Sequence, residues 1–182
     1  MNKKQKELLI WRFISAPRKY QGNEPAPTRL INDKSFCSSF FPDGKMDEFL
    51  IETLLTESIS KKDELELDLL LMLLEHFDII KKFDLILAEL LIQPWHHFHD
   101  RLARMLEFNA SEKIIDNLYK GAIYRCNNLE YESDYCEFNR KCLYALAKIG
   151  TSESIDRIKD VANSKNTIIS NHAKKILQEY MV

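Results

Sequence analysis

Three histidines lie close together at His96, His97 and His99, and their spacing offers the clearest opportunity for chemistry in this chain. On a helix, His96 and His99 would share one face, so their imidazoles could bind the same metal ion. The carboxylates that such a site needs could be Asp100 and one from an adjacent helix, such as Glu75 or Asp68. One hypothesis is therefore a metal-dependent enzyme that uses His96 and His99.

The same histidines also fit two simpler roles. His99 lies between Trp95 and Leu102 on an apolar stripe, where a buried imidazole must hydrogen-bond an acid or a carbonyl group. His97 would project to solvent beside Arg101, where a partner protein could contact it. The sequence leaves the structural, partner-binding and metal-binding roles open.

The chain lacks the sequence signatures of common enzyme sites. It contains no glycine-rich phosphate loop, no G-x-S-x-G, no H-E-x-x-H and no Walker pattern. Its four cysteines are not spaced like zinc ligands, so we expect them to be reduced and structural: Cys37, Cys126, Cys136 and Cys142. We therefore predict a protein that is not an enzyme and has no catalytic residue, metal or cofactor.

Three stretches of the chain align without gaps: 74–90, 106–122 and 146–162, at offsets of 32 and 40. The alignment superposes a leucine near the start of each stretch and an aspartate further on, Asp84, Asp116 and Asp156. Periods of this size are typical of stacked helical hairpins, each of which buries its apolar face against its neighbours. With only 4 Gly and 5 Pro, the composition also predicts an all-α fold.

The apolar periodicity and the capping residues predict eight or nine antiparallel helices. The expected helices span 2–14, 46–58, a Leu-rich segment that Ser60 and Asp63 open, 81–92, 95–107, 111–124, 135–149, 152–163 and 167–180. Prolines interrupt the chain up to about residue 30, and 31–44 is expected to be irregular. We predict two regions: an irregular N-terminal cap over 1–45 and a helical array over 46–182.

The segment from Ala145 to Ile158, with Ala-Leu-x-x-Ile-Gly closing a helix, resembles HEAT repeats of the PBS-lyase type. The resemblance implies a right-handed α-solenoid of about four antiparallel helical hairpins. The segment from Trp95 to Asp100, with Ala103 beyond, resembles a helix of bacterial HEAT-like proteins that are encoded beside polymorphic toxins. This second resemblance implies an immunity protein that neutralises a toxin by stoichiometric binding.

Acidic residues mark two candidate partner-binding surfaces. Asp84, Asp116 and Asp156 would recur along one ridge of neighbouring helices, spaced roughly 10 Å apart. Alternatively, each could lie in the first turn of its helix, where the helix dipole favours an acid. The second surface combines carboxylates with tyrosines and has no basic residue: Glu130, Tyr131, Glu132, Asp134, Tyr135 and Glu137.

The overall charge and hydropathy restrict the class of partner. The net charge is −2, but residues 43–78 hold 11 acidic and 3 basic side chains. We therefore expect a basic toxin domain as partner rather than nucleic acid or a membrane. The N-terminal apolar run is broken by Arg12, and no uninterrupted apolar run reaches membrane-spanning length, so we predict a cytoplasmic protein. A nucleic-acid-binding or general scaffold protein remains an alternative.

Overall fold

The structure is a computed structural model that describes residues 1–14, 32–124 and 132–180, apart from the side chains of 132–136. The described residues form ten α-helices and two short 3-10 helices, with no strand among them. This confirms the prediction of an all-α protein. The chain divides into two compact units, Met1–Phe77 and Asp78–Val182, whereas we predicted a division at 45/46.

The first unit contains four helices: α1 (Lys3–Phe13), α2 (Asp33–Phe40), α3 (Glu48–Lys61) and α4 (Glu64–His76). Each begins where an Asn or Asp side chain accepts a hydrogen bond from a backbone N–H of the first turn: Asn2, Asn32, Asp47 and Asp63. Helix α1 packs against α2 and α4, and α3 packs against α4.

Helix α2 occupies part of the segment 31–44 that we expected to be irregular. The Asn32 side chain caps it by accepting from the backbone N–H of Ser35 at 2.9 Å. Phe36 and Phe40 are one helical turn apart and both are buried, with their rings stacked at 5.0 Å between centroids. The Phe36 ring also packs against Phe13 and Phe77, with centroids 5.8 and 6.0 Å away, and this tertiary packing stabilises a helix too short to be stable by itself.

Helix α4 forms the apolar centre of the first unit, as its leucine content predicted. Its leucines are buried around most of the helix: Leu67, Leu69, Leu70, Leu71, Leu73 and Leu74. At its C-terminal end, His76 Nε2 lies 2.8 Å from Asp33 Oδ1 and 2.9 Å from Arg12 Nη2. Arg12 also donates to Asp33 from Nε at 3.0 Å, so this polar cluster joins α1, α2 and α4.

The second unit contains the remaining elements: a 3-10 helix (Ile80–Phe83), α5 (Asp84–Leu90), α6 (His99–Asn109), a 3-10 helix (Glu112–Ile114), α7 (Ile115–Ile123), α8 (Glu132–Ile149), α9 (Ser152–Ala162) and α10 (Thr167–Tyr180). Helix α8 packs against α6 and α10, while α7 packs against α5 and α9. Helices α5 and α6, α7 and α8, and α9 and α10 also pack as consecutive pairs.

Local sequence signals placed some boundaries in the second unit correctly. Gly150 follows the last residue of α8 with a φ of +69°, a conformation that glycine adopts without steric cost. Thr151 then accepts from the backbone N–H of Ser154 at 3.3 Å and opens α9. The helix expected over 95–107 instead begins at His99, because the His96 side chain hydrogen-bonds the backbone of the turn before it.

Three ion pairs join the helices that flank the segment 125–131. Lys141 Nζ donates to Asp100 Oδ1 at 2.5 Å and Lys148 Nζ to Glu107 Oε1 at 2.8 Å, which connects α6 with α8. Arg157 Nη2 donates to Asp116 Oδ1 at 2.5 Å, which connects α7 with α9. In every pair the two residues are 41 positions apart, and the two pairs between α6 and α8 show that these two helices run parallel.

Gly121 allows α7 to approach α8 closely. A Cβ atom at this position would lie 2.8 Å from Cys142 Sγ and 3.5 Å from Phe138 Cζ. Cys142 is fully buried in α8. Contact at this distance is possible only because glycine has no side chain.

We expect Gly121→Ala to destabilise the protein by about 1–3 kcal/mol through overpacking. At an uncrowded helical site the same change would instead stabilise the helix by about 1 kcal/mol. Adding Cys142→Ala removes the clashing sulfur, so the double variant should lose less stability than the sum of the two single variants. Urea denaturation followed by circular dichroism measures these differences, and a Gly121→Ala variant more stable than the parent would contradict the close approach.

Candidate functional site

His96 lies in the turn between α5 and α6 and is fully buried. Its Nδ1 accepts a hydrogen bond from the backbone N–H of Phe98 at 3.1 Å, because an amide nitrogen can only donate. The ring proton must therefore lie on Nε2, which donates to the carbonyl oxygen of Leu90 at 3.0 Å. This side chain holds residues 96–98 in a turn, which explains why α6 begins three residues after His96.

His99 is the first residue of α6 and is also buried. Its Nδ1 lies 2.9 Å from the carbonyl oxygen of Leu91 and donates to it, so Nε2 carries the lone pair. Nε2 is buried and has no hydrogen-bond partner among the described residues. The ring packs against His96, Phe138 and Tyr124, with centroids 4.6, 5.8 and 6.1 Å away. Burial among these rings lowers the pKa of His99.

The two buried histidines therefore act together on the C-terminal end of α5. They donate hydrogen bonds to two successive carbonyl groups, those of Leu90 and Leu91, and the Leu90 carbonyl also accepts from the backbone N–H of Gln93 at 3.0 Å. His97, between them, is exposed. Within the described residues, no group of three or more His, Cys, Asp or Glu side chains is arranged to hold a metal ion.

Asn139 donates hydrogen bonds at the end of α7, a role that was not predicted from the sequence. Its Nδ2 donates to the carbonyl oxygens of Gly121 at 2.7 Å and Tyr124 at 3.1 Å, and the side chain is buried. The signal that could have revealed it is an amide in the apolar stripe of α8, between Phe138 and Cys142. A polar residue in such a stripe normally has a hydrogen-bonding role.

The environment of His99 predicts that the protein loses stability under mildly acidic conditions. Because its pKa is lowered from 6.5 in the folded protein, the unfolded chain binds the proton more readily. The contribution of His99 to stability is therefore complete above its unfolded pKa, and it is lost as the pH falls below that value. His99→Asn keeps a donor for the Leu91 carbonyl group but cannot titrate.

We expect the parent to lose more denaturant resistance than His99→Asn between about pH 7.5 and pH 5.5. The matched control is His172→Asn on α10, which makes the same substitution on a different helix. Urea midpoints at the two pH values test the comparison. The same decrease for the parent and His99→Asn would show that His99 is not the group responsible.

The three aligned aspartates lie on α5, α7 and α9, of which α5 and α9 both pack against α7. Asp84 is the first residue of α5 and only 7% exposed. Asp116, in the first turn of α7, is paired with Arg157, and Asp156, beyond the first turn of α9, is paired with Lys159 at 2.8 Å. The helix-dipole interpretation thus applies to Asp84 and Asp116 but not to Asp156.

Arg157 is held between two groups of α7. While Nη2 donates to Asp116, the guanidinium carbon lies 5.0 Å from the centre of the Tyr119 ring. Basic side chains are therefore paired with the exposed carboxylates of Asp116 and Asp156, and the surface around them is mixed in charge.

Most of the second predicted surface lies outside the described part of the chain. Glu130 and Tyr131 are not described, and neither are the side chains of Glu132, Asp134 and Tyr135. Glu137 is described: Arg140 Nη2 donates to it at 2.9 Å, and Lys141 Nζ lies 3.6 Å away. The role of this segment in partner binding stays a prediction.

Comparison with protein-family models, with curated proteins and with solved structures finds no match to this chain. Among the described residues, no helix is both long enough and apolar enough to cross a membrane. The resemblance to HEAT repeats and to toxin-associated proteins therefore stays a prediction.

Proposed function

We propose that this protein is a protein-binding module, and that it works as an immunity protein which neutralises a basic toxin domain by stoichiometric binding. The observation that carries the proposal is the set of three ion pairs with a constant separation of 41 residues. Helices aligned in this way present their outer side chains at fixed positions, and a fixed surface binds a protein with little cost of ordering.

The packing of the second unit supports a solenoid of hairpins as the scaffold for this function. Helix α8 packs between α6 and α10, and α7 packs between α5 and α9, so the helices alternate between two rows. Consecutive helices from the two rows pack against each other. A right-handed HEAT-like solenoid has this alternation, and such scaffolds commonly serve as binding surfaces.

Charge supports a basic partner. Residues 43–78 hold 11 acidic and 3 basic side chains, and opposite charge on a partner would accelerate association and favour the correct orientation. The same charge disfavours nucleic acid. The toxin itself is suggested by the resemblance of the segment 95–100 to toxin-associated HEAT-like proteins, and we propose that the protein acts in the cytoplasm.

The experiment is to co-express the chain with the product of each gene that neighbours its own. We expect one neighbour to arrest growth when expressed alone, and the chain to restore growth and form a stoichiometric complex on size-exclusion chromatography with light scattering. The association rate should fall as salt rises, because screening weakens attraction between exposed charges. If no neighbour is toxic, or if the chain neither binds nor neutralises it, the immunity function is wrong.

A further inference from the structure

We propose that the outer face of α3 at its N-terminal end is the docking surface for a cationic segment of the protein partner. The α3 surface, as we call it, consists of Phe49, Glu52 and the adjoining groove that contains Met46. This inference rests on the proposed function, because it identifies where a basic protein partner would bind.

Phe49 is the most exposed large apolar side chain among the described residues, at 78%. Phe108 is nearly as exposed, but Lys148 Nζ lies 4.1 Å from the centre of its ring. No aromatic ring or cation of the described residues packs on Phe49 in this way. An aromatic ring exposed to this degree is a typical anchor for a protein partner.

The acidic side chains in and around α3 differ in whether a cation is paired with them. Toward the C-terminal end, Glu57 is paired with Lys61 at 3.1 Å, and Lys6 lies 3.6 Å from Glu66 of α4. Near Phe49, the carboxylates of Asp43 and Glu52 make no ion pair with any described residue. Glu52 is exposed about one turn beyond Phe49, so unneutralised charge and exposed apolar surface coincide.

A groove of about 290 Å³ lies beside Phe49 at the start of α3. Its lining offers three carboxylates, one ammonium group and one thioether: Asp43, Asp47, Glu48, Lys45 and Met46. Asp47 is fixed there, because its Oδ1 accepts from the backbone N–H of Leu50 at 3.0 Å. The groove suits one long basic side chain, whose alkyl stem would contact Met46 while its charged end approaches the carboxylates of Asp43 and Asp47.

The groove and the Phe49 ring together specify the chemistry of the occupant. An arginine or lysine would enter the groove, and an apolar residue close to it in the partner sequence would cover the ring. A segment with this composition gains both attraction to the carboxylates and burial of the aromatic surface. An acidic segment or nucleic acid would instead be repelled by the carboxylates.

The test uses the whole chain and two fluorescent peptides, one of Lys and Leu at helical spacing and one with Glu in place of Lys. We expect the Lys-Leu peptide to bind with an affinity that falls as salt rises, and the Glu-Leu peptide not to bind. Phe49→Ala combined with Glu52→Lys should weaken the binding of the Lys-Leu peptide by about tenfold or more. Fluorescence anisotropy measures the affinities.

The matched control is Leu65→Ala combined with Glu7→Lys, which removes an exposed apolar residue and reverses an exposed acid in the same unit. Its affinity for the Lys-Leu peptide should stay within about twofold of the parent. Circular dichroism of both variants shows that the helices are retained. Failure of the parent to bind the Lys-Leu peptide, or equal losses in the two variants, would overturn the assignment of the α3 surface.

The co-expression assay separates this inference from the proposed function. If the Phe49→Ala, Glu52→Lys variant neutralises a neighbouring toxin as well as the parent does, the α3 surface is wrong and the immunity function stands. If Glu132→Lys with Asp134→Lys abolishes neutralisation while the α3 variant does not, the docking surface is the segment 130–137. If peptide binding depends on α3 but no neighbour is toxic, the surface stands and the immunity function fails.

Discussion

The second unit depends on donors for the carbonyl groups at the ends of its short helices. Helix α5 has 7 residues and α7 has 9, so a large share of their backbone groups lie in terminal turns without helical partners. His96 and His99 donate to the end of α5, and Asn139 donates to the end of α7. The carbonyl groups of Leu90 and Gly121 also accept from the backbone N–H groups of Gln93 and Tyr124. Losing a side-chain donor would therefore leave a buried helix end with fewer hydrogen bonds.

Because they hydrogen-bond the end of α5, the two buried histidines have a structural role. The hydrogen-bonding groups of His96 are both used within the fold, and one nitrogen of His99 is used in the same way. The segment 95–100, whose resemblance to toxin-associated proteins is a prediction, therefore has a structural role at the end of α5. The proposed binding function would then use the outer surface, where charge and exposed aromatic side chains determine which partner can bind.

The sequence predicted those features of the fold that local interactions determine. Gly150 and Thr151 marked the end of α8 and the start of α9, and the leucines of α4 indicated a buried helix. It did not predict the late start of α6, because that depends on a hydrogen bond from His96 to a carbonyl group of the preceding helix. The sequence also did not predict which side chains pair with the candidate site residues. Arg157 is close to Asp116 only because α9 packs beside α7, and no pattern in a single sequence encodes that contact.

The three ion pairs with the same sequence separation have a consequence for how this protein can change. Each pair connects a residue before position 125 with one after position 131, so α6 and α7 are aligned with α8 and α9 by contacts that do not involve the intervening segment. Insertions, deletions or a grafted recognition sequence between those positions would leave the alignment intact. The chain can therefore diversify there while its helical framework is retained.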